Sequence, residues 1–196
     1  IGVTGPAGKS TTSAMVHHAL RALGQATVFG GNIGGSLLPE LDRAGPGSVR
    51  EGAWVVLELS SAMLHWLGTA SEGRGWSPRV AVVTNCTTNH VDWHGTFEHY
   101  RESKQRILAA QGAGDAALLD ESVADWASPS GVARTIVPSA AESGPLRIPG
   151  SHNRHNAAVA LAAIDAAGVP GLARPAVQSA IAGFDGLPHR LQLVHD

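Results

Sequence analysis

Short runs of apolar residues alternate along the chain with longer segments in which apolar residues recur at helical spacing. We interpret the runs as strands and the longer segments as helices. The predicted strands are residues 1–4, 26–29, 54–59, 80–84, 116–119 and 135–137, and the predicted helices are residues 9–23, 97–110, 153–167 and 175–182. Strands that are apolar throughout are typical of a sheet covered on both faces, and the strand–helix order indicates parallel pairing. The pattern therefore predicts an α/β fold: a doubly wound, mostly parallel sheet with helices on both faces.

The composition is that of one globular domain, residues 1–196, with 43% hydrophobic and 15% charged residues. The net charge of -2 comes from interspersed signs, which argues against nucleic-acid binding and against an anionic membrane as a partner. A single cysteine, Cys86, excludes an internal disulfide framework, and no apolar run reaches the roughly 18 residues of a membrane span. These features indicate small-molecule partners and a cytoplasmic location. We interpret both chain ends as cut edges and expect flanking domains beyond them.

A glycine-rich loop, Thr-Gly-Pro-Ala-Gly-Lys-Ser-Thr-Thr at residues 4–12, joins the first predicted strand to the first helix. Gly5 and Gly8 allow backbone N–H groups to turn toward an anion, and the amino terminus of the helix adds a favourable dipole. Lys9 supplies a cation and Ser10 a hydroxyl for Mg²⁺. The order of these parts predicts polyphosphate binding and a sheet of the P-loop type, although valine stands where the strict pattern begins with glycine. A glycine-rich turn without function is the alternative.

Polar residues also stand at or after later strands, where ligands bind in such sheets. Glu58 interrupts the apolar run at 54–59, and a carboxylate buried there would need a cation such as Mg²⁺ bound to ATP. A structural ion pair or an exposed edge-strand carboxylate is the alternative. Beyond the strand at 80–84, His90 is the candidate metal ligand. The spacing of His90 and His94 also leaves a zinc site open.

Lys104 shares one stripe of the predicted helix 97–110 with four apolar or aromatic residues. These are Phe97, Tyr100, Ile107 and Leu108. The stripe would bury the amine, but an isolated lysine more often extends its stem so that the charge reaches water. The residues alone therefore favour a structural lysine.

Seven motifs in these segments resemble those of the central domain of the Mur ligase family, in family order and over essentially the whole chain. The phosphate loop is similar to T-G-x-x-G-K-[ST]-T, residues 30–34 to the G-G-N-I-G of the D-glutamate-adding branch, and residues 57–61 to L-E-L-S-S. Residues 89–95 resemble D-H-[LM]-D-x-H-G, residues 100–104 Y-x-x-A-K, residues 150–156 G-x-H-N-x-x-N and residues 186–190 G-L-P-H-R.

The resemblance implies a role for each matching residue. Lys9 would contact the ATP phosphates beside Gly5 and Gly8, and Ser10 or Thr11 would hold a first Mg²⁺ together with Glu58. His90 and Lys104 would serve a second Mg²⁺, with the lysine as an N-carboxylated side chain, because a carbamate supplies the oxygen ligands that Mg²⁺ prefers.

The remaining roles concern the ligands at the edges of the site. Asn153 and Asn156 would bind adenine, with capping of the helix amino terminus as their alternative, a task that Ser151 could also perform. Arg190 would contact phosphate, unless it is a surface arginine. Asn32 and Ser60 would face the nucleotide-sugar substrate, although asparagine between glycines is also an ordinary turn former.

The implied activity is that of an ATP-dependent amide-forming ligase of peptidoglycan synthesis. It would add D-glutamate to UDP-N-acetylmuramoyl-L-alanine through an acyl phosphate. The nucleotide-sugar and amino-acid sites would depend on amino- and carboxy-terminal domains, so the isolated domain would be inactive.

Several positions depart from the family's motifs, and the last group of them lies near the expected path of the muramoyl substrate. These are Pro6 and Ala7 in the phosphate loop, Asn89 before His90, and Ala62, Met63 and His65 after the two serines. The alternatives are another ligase of the superfamily, a P-loop switch or motor domain, and a nucleotide-binding scaffold without chemistry.

Overall fold

The structure is a computed structural model that describes residues 1–33, 37, 52–69 and 75–187. Six strands form one sheet: β1 (Gly2–Thr4), β2 (Thr27–Gly31), β3 (Trp54–Glu58), β4 (Val80–Val83), β5 (Ala116–Asp120) and β6 (Ala133–Val137). Their spatial order is β2-β3-β1-β4-β5-β6, and every neighbouring pair is parallel. The strand order reverses at β1, which places the loop after β1 at the point where such sheets bind ligands.

The α-helices of the described residues are α1 (Lys9–Ala22), α2 (Ser61–Thr69), α3 (Val91–His94), α4 (Phe97–Ala109), α5 (Ser151–Ala167) and α6 (Arg174–Ala182). Helices α1, α5 and α6 contribute to the hydrophobic core on one face of the sheet, and α2 and α4 contribute to the core on the other face. The predicted doubly wound sheet with helices on both faces is thereby confirmed. None of the described helices is both long enough and apolar enough to cross a membrane.

The sequence of β4 shows why its strand is apolar at every position. Val80 and Val82 belong to the core under α1 and α5, whereas Ala81 and Val83 belong to the core under α2 and α4. Successive side chains of a strand point to opposite faces of the sheet, so a central strand covered on both sides has no solvent-facing position. All four residues are at most 1% exposed.

Two helices, α2 and α3, were not predicted from the sequence. Helix α2 begins at Ser61, three residues after β3 ends, and it contains a second short apolar run that follows Ser60 and Ser61. The hydroxyl oxygen of Ser60 accepts a hydrogen bond from the backbone N–H of Met63 at 3.2 Å, as an N-cap does. Serine before an apolar run was therefore the available signal for a helix start.

Candidate active site

A cavity of about 390 Å³ lies at the carboxyl ends of the central strands, and we refer to it as the larger cavity because a second one beside the phosphate loop measures about 260 Å³. The walls of the larger cavity come from the loop after β1, the turn after β2, the start of α2, and helices α3 and α4. Six of the residues predicted from the sequence line it: Gly5, Lys9, Asn32, Ser60, His90 and Lys104. Residues separated by up to 99 positions in the chain are thus brought to one site.

The phosphate loop has the backbone that its two glycines were expected to allow. Gly5 and Gly8 have φ angles of 144° and 81°, conformations that residues with a Cβ rarely adopt. A Cβ on Gly8 would lie 2.5 Å from Oδ1 of Asn156, and one on Gly5 would overlap the hydroxyl of Thr84. Both positions therefore require glycine.

The departures at Pro6 and Ala7 leave the loop anchored, because the described contacts there are made by backbone carbonyls. The carbonyl of Ala7 accepts hydrogen bonds from the hydroxyl of Thr84 at 2.5 Å and from the side-chain amide of Asn85 at 3.1 Å. The carbonyl of Pro6 accepts one from Nζ of Lys9 at 3.4 Å. Thr84 was not recognised as part of the site, although it is the first polar residue after β4.

Glu58 ends β3 as a buried carboxylate with 2% of its surface exposed. Its Oε1 accepts a hydrogen bond from the side-chain amide of Asn32 at 2.9 Å. Among the described residues, Oε2 is buried and has no hydrogen-bond partner. A buried carboxylate oxygen without a donor is costly, so this atom is a candidate ligand for a cation. The exposed edge-strand alternative for Glu58 is wrong.

Asn32 reaches Glu58 because of the glycine before it. Gly31 pairs with Glu58 across the β2–β3 ladder and has a φ of 101°. A Cβ on Gly31 would overlap the carbonyl oxygen of Glu58, so glycine allows the close approach of the two strands. The backbone N–H of Asn32 then donates to that carbonyl at 2.9 Å. Gly34, the last residue of the G-G-N-I-G motif, lies outside the described residues.

Lys104 is buried, with 2% of its surface exposed, and the structural interpretation in which its amine reaches water is wrong. Its Nζ donates a hydrogen bond to the hydroxyl of Thr4 at 3.2 Å and lies 4.8 Å from the ring centroid of Tyr100. Burial, followed by the positive charge of Lys9, lowers the pKa of Lys104 to about 7. A neutral amine is therefore accessible near neutral pH.

His90 lines the same cavity from the residue before α3, and its φ of 52° is the one positive value among the described non-glycine residues. The side chain of Asn89 accepts a hydrogen bond from the backbone N–H of His90 at 2.9 Å, so asparagine supplies a carbonyl oxygen where the family motif has a carboxylate. His94 is instead buried and contacts Ser61. The described residues contain no group of three histidine, cysteine or acidic side chains that could hold a metal, so the zinc interpretation finds no support.

A second cavity of about 260 Å³ lies on the other side of the phosphate loop and is lined by Gly8, Thr11, Asn153 and Asn156, among others. Both asparagines are buried, at 4% and 7% exposure. The amide of Asn153 donates to the carbonyl of Pro149 at 2.6 Å, and the amide of Asn156 lies 3.5 Å from Oδ1 of Asn153.

The capping alternative for these asparagines is wrong. The N-cap of α5 is Gly150, which makes no side-chain cap hydrogen bond, and Ser151 is already the first helical residue.

The remaining predicted site residues lie in other places. Ser10 is buried, and Thr11 borders the second cavity. Arg190 lies outside the described residues.

Residues 3–132 match the Mur ligase middle domain family. A UDP-N-acetylmuramoylalanine–D-glutamate ligase of Symbiobacterium thermophilum is 33% identical over 99% of this chain and 46% of its own length. A UDP-N-acetylmuramoyl-L-alanine–L-glutamate ligase of Salinispora tropica is 37% identical over 100% of this chain and 45% of its own. The chain thus spans about half the length of these curated relatives.

Solved structures of low sequence identity have the same fold. A UDP-N-acetylmuramoyl-L-alanyl-D-glutamate–2,6-diaminopimelate ligase superposes with a TM-score of 0.70 at 21% identity, covering 100% of this chain and 48% of that one. A bifunctional folylpolyglutamate synthase/dihydrofolate synthase from Yersinia pestis, complexed with AMPPNP and a Mn ion, has a TM-score of 0.64 at 18% identity, covering 100% and 59%. The family match over residues 3–132 shows that the chain belongs to the Mur ligase family.

Proposed function

We propose that this chain is the ATP-binding central part of a ligase that joins D-glutamate to UDP-N-acetylmuramoyl-L-alanine in the cytoplasm. The observation that carries the proposal is one cavity at the strand ends, where a phosphate loop with Lys9 faces His90 and Lys104, and where the lining residue Asn32 donates a hydrogen bond to the buried carboxylate of Glu58. The names of the sequence relatives supply the substrates.

ATP binds across the phosphate loop in this proposal. The loop separates the two cavities, since Gly5 lines the larger one and Gly8 the smaller one. The smaller cavity, with its two buried asparagine amides, suits the hydrogen-bonding edge of adenine. The phosphates then extend along the loop toward Lys9, with Arg190 as a second cation for them.

The residues present fit a divalent cation such as Mg²⁺, because the unpaired Oε2 of Glu58 is an oxygen donor that needs one. Glu58 with Ser10 or Thr11 would hold a first Mg²⁺, and His90 with carboxylated Lys104 a second. When bound, Mg²⁺ neutralises charge on the phosphate oxygens. The Mn ion and AMPPNP of the folylpolyglutamate synthase structure agree with a nucleotide–metal pair in this fold.

Carboxylation of Lys104 explains why a lysine is buried at this site. The neutral amine attacks the carbon of CO₂, an N–C bond forms, and one proton leaves to solvent. The product is an anionic carbamate with two oxygen donors. An ammonium in the same place would repel a cation, whereas the carbamate attracts it.

The chain's own residues act mainly by positioning and by charge. Lys9 holds the terminal phosphates of ATP, while Asn32 and Ser60 face the acyl donor. The carboxylate of the acyl donor takes the γ-phosphoryl group, which yields ADP and an acyl phosphate. The amine of D-glutamate attacks the acyl carbon, phosphate leaves, and an amide remains.

L-Glutamate is a second candidate for the acceptor amino acid. The Salinispora tropica relative, at 37% identity, is named for L-glutamate. The acceptor site would depend on a flanking carboxy-terminal domain, as the nucleotide-sugar site would on an amino-terminal one.

The test uses the full-length protein encoded by the native gene, with ATP, Mg²⁺ and UDP-N-acetylmuramoyl-L-alanine. Phosphate release is measured with D-glutamate, with L-glutamate and without an amino acid. We expect phosphate release that depends on D-glutamate, with a matching amide product detected by mass spectrometry.

Other outcomes would change the proposal. Phosphate release with L-glutamate alone would make L-glutamate the acceptor. Nucleotide hydrolysis that ignores the amino acid would indicate a switch or motor domain instead. Residues 1–196 alone should form no amide.

A further inference from the structure

A chain of hydrogen bonds links two histidines to a serine at the wall of the larger cavity. Nε2 of His94 lies 2.9 Å from Oγ of Ser61. Nδ1 of His94 lies 3.1 Å from Nδ1 of His99, which also lies 3.0 Å from the carbonyl oxygen of His94. We refer to these three residues as the Ser61–His94–His99 chain.

The direction of these bonds follows from what each atom can do. A carbonyl oxygen only accepts, so Nδ1 of His99 carries a proton and donates it. Nδ1 of His94, which lies beside the same N–H, is then an acceptor. A neutral imidazole whose Nδ1 accepts has its proton on Nε2, so His94 donates to the oxygen of Ser61.

The surroundings of His94 favour this neutral form. The side chain is 6% exposed, and burial, followed by the nearby His99, lowers its pKa. Trp93 packs edge-on against the His94 ring, with centroids 4.3 Å apart and planes at 77°. The orientation of the ring is therefore fixed by packing as well as by hydrogen bonds.

The consequence falls on the hydroxyl of Ser61. Its oxygen already accepts from His94, which leaves its own proton to donate. Ser61 is 4% exposed and lines the larger cavity close in sequence to the residues that face the acyl donor in the proposed function. Its neighbour Ser60 differs, because the Ser60 oxygen accepts from the backbone of α2.

We propose that Ser61, oriented by His94 and His99, donates a hydrogen bond to an anionic oxygen of the acyl-donating substrate. This inference rests on the proposed function, because it takes the acyl donor to occupy the larger cavity. Ser61 contacts the substrate, whereas His94 and His99 are positioning residues that act through it. The arrangement supplies an oriented hydrogen-bond donor without adding a further charged side chain to the cavity that Lys9 and Lys104 line.

The tautomers can be read directly by NMR. Long-range ¹H–¹⁵N correlation of the imidazole rings distinguishes a proton on Nε2 from one on Nδ1. We expect the Nε2–H form for His94 and a protonated Nδ1 for His99 near pH 7.5. A His94 ring protonated on Nδ1 would overturn the hydrogen-bond chain, whatever reaction the protein catalyses.

The substrate contact is tested by kinetics of the full-length protein. Ser61→Ala should raise the KM for UDP-N-acetylmuramoyl-L-alanine about tenfold or more, the effect of losing a hydrogen bond to a charged group, while the KM for ATP stays unchanged. His94→Leu should have a similar effect, and His94→Gln, which keeps a donor near Nε2, should restore most of the affinity. Adding Ser61→Ala to His94→Leu should cost little more than either change alone, because the two residues act as one unit.

The matched control is Ser77→Ala. Ser77 makes two hydrogen bonds at the opposite end of the sheet, to the carbonyl of Arg106 and from the backbone of Ala110. Ser77→Ala removes these two hydrogen bonds, so it should lower the melting temperature without changing the KM for the acyl donor. An unchanged KM in Ser61→Ala, with an active wild type, overturns this inference alone. A wild type without amino-acid-dependent phosphate release overturns the proposed function instead, and the NMR measurement still decides the hydrogen-bond chain.

Discussion

Lys104 donates a hydrogen bond to the hydroxyl of Thr4 over 3.2 Å, and that hydroxyl donates its own proton to the carbonyl of Leu59 over 2.8 Å. The Thr4 oxygen can therefore only accept from the amine. One threonine thus ties α4 to the end of β1 and to the segment after β3. The amine is held at the strand ends both as an ammonium and as a neutral group, because each form has an N–H to donate.

Replacing Lys104 tests the carbamate. Lys104→Ala should reduce ligase activity of the full-length protein by about a hundredfold, because the second Mg²⁺ would lose a ligand and losing even a residue that only supports a ligand typically costs about 10–100-fold. Acetate at tens of millimolar, roughly, should restore part of the activity by occupying the empty position of the carbamate oxygens. Bicarbonate should raise the activity of the wild type but not that of the variant. Arg101→Ala is the control, because Arg101 is a partly exposed residue of the same helix whose contacts are with Asp125 and Trp126. Full activity of Lys104→Ala in bicarbonate-free buffer would contradict carboxylation.

The pKa of Lys104 predicts how stability changes with pH. The unfolded lysine titrates near 10.5, and burial lowers the folded value to about 7. Between these values the unfolded chain binds one more proton than the folded chain, so the free energy of unfolding rises with pH. Below about pH 7 both states are protonated, and the cost of the buried charge is constant. We therefore expect Lys104→Met to stabilise the protein more at pH 6 than at pH 10. Urea unfolding at both pH values, without bicarbonate, measures this; an equal difference at the two would contradict it.

Lys9 should dominate nucleotide affinity. Lys9→Ala removes a charged donor from the phosphate loop, and one hydrogen bond to a charged group contributes about 1.5–3 kcal/mol. We expect the Kd for ATP with Mg²⁺ to rise tenfold or more, roughly, by titration calorimetry. Arg21→Ala, in the last turn of the same helix, should leave the Kd unchanged. Equal affinity in Lys9→Ala and wild type would remove the phosphate-loop assignment.

Alanine substitutions at Gly8 and Gly24 distinguish the cost of backbone strain from the cost of a steric clash. Gly8 and Gly24 have φ angles of 81° and 78°, so alanine is strained at both, by about 1 kcal/mol. A Cβ at Gly24 meets nothing within 4 Å, whereas one at Gly8 meets Oδ1 of Asn156 at 2.5 Å. Both variants should lower the melting temperature, but Gly8→Ala should lower it more and should also weaken nucleotide binding. If Gly8→Ala bound ATP as tightly as the wild type, the proposal that ATP occupies the smaller cavity beside Gly8 and Asn156 would be contradicted.

The sheet and the phosphate loop could be predicted because their signals are local. Apolar runs mark strands covered on both faces, and glycines with Lys9 mark the loop. Helix α2 was not predicted, because a short apolar run fits a strand or a buried helix equally well. Its capping serine, Ser60, was interpreted by resemblance as a substrate contact, and the structure shows that the same hydroxyl caps the helix.

The burial of Lys104 could not be predicted from its helix alone. Helical spacing placed it on the apolar stripe, but the stem of a lysine is long enough to escape from one. Its environment is decided by Thr4, 100 positions away, and by the ring of Tyr100 beneath it. Likewise, His94 and Ser61 are 33 positions apart, and no local pattern joins them.

The carbonyl of Ala7 bears on how this loop changes over evolutionary time. Thr84 and Asn85 donate hydrogen bonds to the peptide oxygen, which every amino acid supplies, so a substitution at position 7 leaves this contact available. The glycines on either side have no such freedom, because their Cα hydrogens face occupied space. A homology search should therefore give high weight to Gly5, Gly8 and Lys9 and low weight to Pro6 and Ala7. Such a search should find divergent genes that a uniformly weighted motif misses.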